Sequence, residues 1–347
     1  MLLWLVCWAC LSAFPASATT VPDQQPKVLF INPGHADESF WQDVDLFMQE
    51  AARQLEIDLT IYHTERNPYL MIKKVQELIQ QHQVPDYLVL VNEDNAAKRM
   101  INMLNNYPVR IILILNDLNN ETKQVLFNSA NGPHLLASLV PDNHSIGFQT
   151  ASELLTNDKA PRQQDSQILL LSGNKNTPAS QQREWGARQS IALQNKAKLL
   201  QIVYANWNEQ LAYEKTQQLL QRHSKLRYIW AANDLMAFGA MRAAREAGLT
   251  PGKDIFFSAV NTSETVLAAR REGSISSLGG GHFMAGGWAM VLIKEHMTGK
   301  TIPSQINQPM FHLLHPQSRL FPILESKDWQ NIDFTQFQQQ PYHFAID

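Results

Sequence analysis

Cysteine is nearly missing from this chain. Its 347 residues hold two, Cys7 and Cys10, and both lie within the first eighteen. Once that segment is removed, neither a disulfide framework nor thiol chemistry is available. A surplus of positive charge is missing too: 29 Lys and Arg face 32 Asp and Glu, for a formal net charge of -3. That balance supplies no broad basic surface, which argues against nucleic acid or an anionic membrane as partner. Catalytic signatures are equally scarce. The sequence has no G-x-S-x-G elbow and no H-E-x-x-H, and its eleven histidines are scattered without paired helical spacing, so neither an enzyme nor a bound metal or cofactor is expected.

What is present begins with MLLWLVCWACLSAFPASATT. An apolar run through Leu11, too short to span a bilayer, precedes a small-x-small site at Ala16-Ser17-Ala18. This reads as a cleavable export signal over residues 1–18, although no Lys or Arg precedes the apolar core. Acylation of Cys10 is the alternative, and Cys7 stands where a Leu-like residue is usual in such a signal. The full length of 347 residues, with 44% hydrophobic residues, exceeds what one compact core usually holds and suggests two lobes.

Apolar strand-like runs then alternate with amphipathic helical patterns. KVLFINPG leads to FWQDVDLFMQEAARQLE, then DLTIYHT, YLMIKKVQELIQQH, DYLVLVN, a helix around AAKRMINMLNN, and RIILILND. Val28–Ile31, Tyr87–Val91 and Ile111–Leu115 are continuously apolar, as strands are when helices cover both faces of a parallel sheet. A second series starts at SIGFQTASELLTN and runs through QILLLSG, a helix from about 179 to 195, LLQIVYANW, a helix over 209–223, YIWAAND and DIFFSAVN. Two doubly wound α/β lobes follow from this order. Gly279, Gly280 and Gly281 fall between a strand and a helix; they allow a phosphate cradle or a chain crossover between lobes, and no Gly-Lys-Ser/Thr follows to favour phosphate. The adjacent acidic pairs Asp37-Glu38 and Glu93-Asp94, at strand-to-helix loops, are read as helix caps and dipole compensation rather than acid–base groups.

The most informative stretch is YIWAANDLMAFGAMRAAREAGL, Tyr228 to Leu249. Asp234 is placed to cap a helix from about Leu235, and Gly248 to stop it. Asn233 has no evident structural task and sits at the carboxyl end of a strand, where open α/β sheets present groups to ligands. Shaping the turn is its other reading.

Here the chain resembles the type I periplasmic solute-binding proteins, near the ribose-binding branch, over roughly 27–324. AANDLMAFGAMRAAREAG carries most of the likeness, with the first strand and its loop, R-x-x-G at Arg183 to Gly186, and G-K-T-I-P at Gly299 to Pro303. The resemblance implies two parallel-sheet lobes joined by a three-segment hinge: 27–140 with 281–302, and 141–280 with 303–325, leaving 326–347 as a Gln-rich tail. It implies a monomeric, non-enzymatic periplasmic receptor for a sugar-like ligand, with an inner-membrane ABC-type permease as partner. A sensor kinase, cyclase or chemoreceptor is the alternative partner. A transcriptional repressor of the same fold would begin with a DNA-binding helix-turn-helix instead of an export signal.

Carried over position by position, the resemblance puts Phe40 and Trp41 against a sugar ring, Arg183 on its hydroxyls, Trp207 at the second lobe's mouth and Asn233 among the ligand amides. Phe40 and Trp41 also fit the core face of the first helix. Asn116-Asp117 stands where ribose-type members place Asp-Arg, Asn261 where they place an Asp, and Gly280 or Gly281 where they place a Gln. Amides in place of carboxylates remove strong hydroxyl acceptors, so ribose is expected to bind weakly. An acceptor or positive charge on the ligand is expected at Asn116-Asp117, and an anionic or hydroxyl-rich edge at Arg183.

Overall fold

A computed structural model describes residues 25–127, 134–157, 166–194, 196–306 and 310–338. The predicted signal, with Cys7 and Cys10, lies outside the described residues. Within the first lobe the chain runs β1 (Lys27–Asn32), α1 (Ser39–Gln54), β2 (Asp58–His63), α2 (Pro68–Gln80), β3 (Tyr87–Leu90), α3 (Ala97–Met103), β4 (Arg110–Ile114), α4 (Asn120–Phe127) and β5 (His134–Leu139). The second series is α5 (Asn143–Asn157), β6 (Gln167–Ser172), α6 (Pro178–Gln194), β7 (Lys198–Tyr204), α7 (Glu209–Arg222), β8 (Leu226–Ala231), α8 (Asp234–Glu246), β9 (Phe256–Val260), α9 (Glu264–Glu272) and β10 (Ser277–Gly280). Then follow α10 (Ala285–Met297), β11 (Gln305–Ile306), β12 (His312–Leu313) and α11 (Leu320–Ser326).

Strand composition explains the two sheets. Every described residue of β3 is buried, and the strands flanking it are buried but for their first residues, as an all-parallel sheet covered on both faces requires. The first sheet has the order β11-β5-β4-β3-β1-β2 and the second β12-β10-β9-β8-β6-β7. Pairings are parallel except between β10 and β12. In each sheet the order reverses beside the first strand of the series, β1 or β6, which opens a crevice at the carboxyl ends of the strands.

Two features depart from expectation. Gln305–Ile306 extends the first sheet by pairing with β5, so the third crossing comes after Ile306 and not at 302–303. The tail also has a place: Trp329 and Phe334 are buried, with Phe334 5.1 Å from Phe47 of α1 and 5.8 Å from Trp288 of α10, centroid to centroid. Gln54 brackets this segment, donating to the Ile332 carbonyl at 2.8 Å and accepting from the Phe334 N–H at 3.0 Å. The glycine run closes β10 and begins the second crossing; a Cβ on Gly280 would lie 2.8 Å from Leu314 and from Thr262, so close packing at the crossing requires glycine there. Among the described residues, no helix is long and apolar enough to cross a membrane.

Candidate functional site

The carboxyl ends of both sheets face one interlobe cleft. The segments after β1 to β4 supply Glu38, then Phe40 and Trp41 from the first turn of α1, and Arg66, Glu93, Leu115 and Asn116. The second lobe supplies Asn143, Thr177, Arg183, Trp207, Asn233 and Asn261, and His282 enters from the crossing after β10. The same topological position in each sheet therefore delivers the polar groups.

Two tryptophans form matching walls, each seated on a glycine in the loop after the first strand of its sheet. A Cβ on Gly34 would stand 1.9 Å from the Trp41 ring, and one on Gly173 would stand 2.2 Å from the Trp207 ring. No side chain can occupy either position while the indole stays. Trp207 holds φ 62° and Asn261 φ 131°, with Arg66 and Leu115 also at positive φ. Residues other than glycine rarely adopt this region, and such strain gathers at ligand sites. Phe40 stacks on His282 at 4.4 Å, and Phe311 stacks on the imidazole at 4.4 Å as well. The Nε1 atoms of Trp41 and Trp207 and Nδ1 of His282 are buried without a hydrogen-bond partner. Buried polar atoms normally find one.

The charges are distributed unevenly. Arg66 pairs with Glu38 through Nε at 3.0 Å and a second, shorter contact from Nη2, and it also lies 3.5 Å from Glu93. Glu93 has only long contacts otherwise: Thr177 Oγ1 and Asn116 Nδ2, each at 3.4 Å. Burial pushes its carboxyl above the ordinary range, against the opposing pull of Arg66. Arg183, 4% exposed, donates from Nε to Asn143 Oδ1 at 2.8 Å and from Nη1 to the Ala232 carbonyl at 2.9 Å. Its guanidinium lies between the rings of Phe311 and Trp207, at 5.1 and 5.9 Å. Desolvation brings its pKa down to about 9. Burial, with the nearby Arg183 charge, also holds His282 well below its usual value, which keeps the imidazole neutral.

Of the residues the sequence pointed to, Phe40, Trp41, Asn116, Arg183, Trp207, Asn233 and Asn261 line this cleft, and Asp117 does not. Asp117 turns away to accept from Lys123 Nζ at 2.6 Å, Ser138 Oγ at 2.9 Å and the Leu118 N–H at 2.8 Å. Asn116 spans the lobes, its Oδ1 accepting from the Ala179 N–H at 2.9 Å. At the opening of α8 the cap is Asn233 and not Asp234, its Oδ1 accepting from the Met236 N–H at 2.9 Å. Asp234 instead accepts from Asn261 Nδ2 at 2.7 Å and Ser263 Oγ at 2.5 Å. Glu38 and Glu93 are the groups local reading missed. Neither makes a side-chain capping bond for its helix, and both line the cleft. Glu93, in the segment after β3, is thus a carboxylate at the cleft where positions 116 and 261 carry amides.

Comparison with known proteins agrees with this geometry. Residues 28–301 match the family described as periplasmic binding protein domain. A solved periplasmic sugar-binding protein from Pseudomonas fluorescens is 34% identical, with a TM-score of 0.83 over 92% of this chain and 96% of that one. The D-allose-binding periplasmic protein of Escherichia coli is 27% identical over 119 residues, which are 34% of this chain and 37% of the relative. The ribose import binding protein of Salmonella typhimurium is 23% identical over 202 residues, 58% of this chain and 62% of the relative. The chain thus spans less than two thirds of the length of each of these two relatives.

Proposed function

Because the chain belongs to the periplasmic binding protein family, we propose that it is an exported receptor that closes its lobes on a sugar-like molecule and delivers it to an ABC-type permease. One observation carries the ligand class: two indole N–H groups and an imidazole nitrogen, all buried and unpartnered, surround the cleft beside a carboxylate and a guanidinium. Rings of this kind cover the C–H faces of a sugar, while the polar atoms at their edges meet its hydroxyls. Apolar walls with a few convergent polar groups are the usual construction of a small-molecule site. The names of the Pseudomonas and Escherichia relatives support the same ligand class. Export to the periplasm rests on the family and on the signal-like segment, and release to a permease on the family alone.

The test is thermal shift followed by calorimetry on the chain beginning at Thr19, against monosaccharides and their acids. A ligand that binds only the folded form raises the melting temperature. Trp207→Ala is expected to weaken the best ligand by roughly 10- to 100-fold, the effect of losing ~1.5–3 kcal/mol of aromatic burial. No shift with any of these compounds contradicts the reading.

A further inference from the structure

The two guanidinium groups of the cleft are not equivalent. Arg66 is compensated by Glu38 and Glu93. Arg183, 4% exposed, is more deeply buried than Arg66, whose side chain is 24% exposed, and its partners are a neutral amide and a backbone carbonyl. Among the described residues no carboxylate pairs with it, and burial alone shifts its titration. His282 cannot supply the missing negative charge, since it is neutral or cationic in every state. A buried charge without a counterion is costly, and removing it from water is repaid only by a partner of opposite sign.

The uncommitted hydrogen-bonding capacity points the same way. Indole Nε1 atoms donate and never accept, and those of Trp41 and Trp207, both lining residues of the cleft, have no acceptor from the protein. Nη2 of Arg183 has no recorded partner and completes a fork with Nη1 that matches the two oxygens of a carboxylate. Glu93, whose contacts run from 3.4 to 3.5 Å, has room for closer donors, and hydroxyls supply them. A neutral sugar offers hydroxyls around its whole rim and leaves Arg183 uncompensated.

We infer that the ligand is a sugar acid, a monosaccharide whose carboxylate meets Arg183 and whose hydroxyls donate to Glu93. The inference rests on the reading of the cleft as a sugar site. Its test compares matched pairs by calorimetry: D-galacturonate with D-galactose, D-glucuronate with D-glucose, and D-ribonate with D-ribose. In at least one pair the acid binds roughly 10- to 100-fold tighter than its neutral parent, as a charge-assisted pair in place of a neutral one provides. Arg183→Met, which keeps an apolar stem between Phe311 and Trp207, closes that gap. The methyl ester of the preferred acid gives the same comparison with no protein variant, and binds like the neutral sugar. A neutral sugar that binds as tightly as its acid overturns the inference and leaves the sugar receptor standing. Binding of neither member in any pair overturns both.

Discussion

Asp234 shows how a single buried residue ties the site to stability. It is fully buried, and desolvation lifts its pKa from 3.8 to about 6, despite hydrogen bonds from Ser263 and Asn261 that pull it down. The folded chain therefore holds this proton more tightly than the unfolded chain. Its contribution is fully present below pH 3.8 and is lost as pH rises through about 6, by about 1.36 kcal/mol per pH unit between those values. Asp234→Asn is expected to flatten that part of the stability curve, which urea titrations of both proteins between pH 4 and 6 will show. Equal slopes in the two proteins contradict the assignment. Gly173 is the steric counterpart. Gly173→Ala drives a methyl into the Trp207 ring and is expected to weaken ligand binding at least roughly tenfold while circular dichroism stays unchanged.

At this scale the sequence was legible wherever a short motif fixes a side chain's address. Trp207 and Asn233 follow strands, and the loop after a strand decides where they stand; Arg183 stands in the second turn of α6. Glu38 and Glu93 were not legible, because an acid at a helix start has an ordinary local task. Their turn into the cleft depends on Arg66 and Thr177, 28 and 84 residues away. That Asn233 and not Asp234 caps α8 has the same cause, since Ser263 and Asn261 hold the carboxylate.

Among the elements, long amphipathic helices and continuously apolar strands announce themselves, and short strands do not. HLLASL of β5 is interrupted by Ser138, which donates to Asp117. β11 and β12 have two residues each and exist only through pairing with distant strands. The tail was hidden by its glutamines. Its aromatic residues clasp the first lobe through Phe47, Phe283 and Trp288. Phe334→Ala is expected to cost about 3–5 kcal/mol, as truncating a buried aromatic does, with little change in ligand affinity because Phe334 is not part of the cleft. Urea denaturation and calorimetry of the variant separate the two quantities. A loss under about 1 kcal/mol would show that the tail is loosely held.

For the molecule as a whole, the closed cleft is bridged by polar contacts between lobes. Thr262 Oγ1 donates to Asp43 at 2.8 Å, Asn176 Nδ2 to Asp94 at 3.1 Å, and the Ala179 N–H to Asn116 at 2.9 Å. Water can replace each of these bonds, so opening costs little, and a ligand that touches both walls tips the balance towards closure. The central claim, that ligand closes two lobes about the crossings, is open to one direct measurement. Both native cysteines lie in the first eighteen residues, so Tyr69→Cys on α2 and Gln210→Cys on α7, both exposed positions, accept spin labels cleanly in a chain starting at Thr19. Electron double resonance between them should give a long, broad distance distribution without ligand. Addition of the sugar or sugar acid with the largest thermal shift should replace it with a shorter, narrow one. A distribution unchanged at saturating ligand would contradict the account.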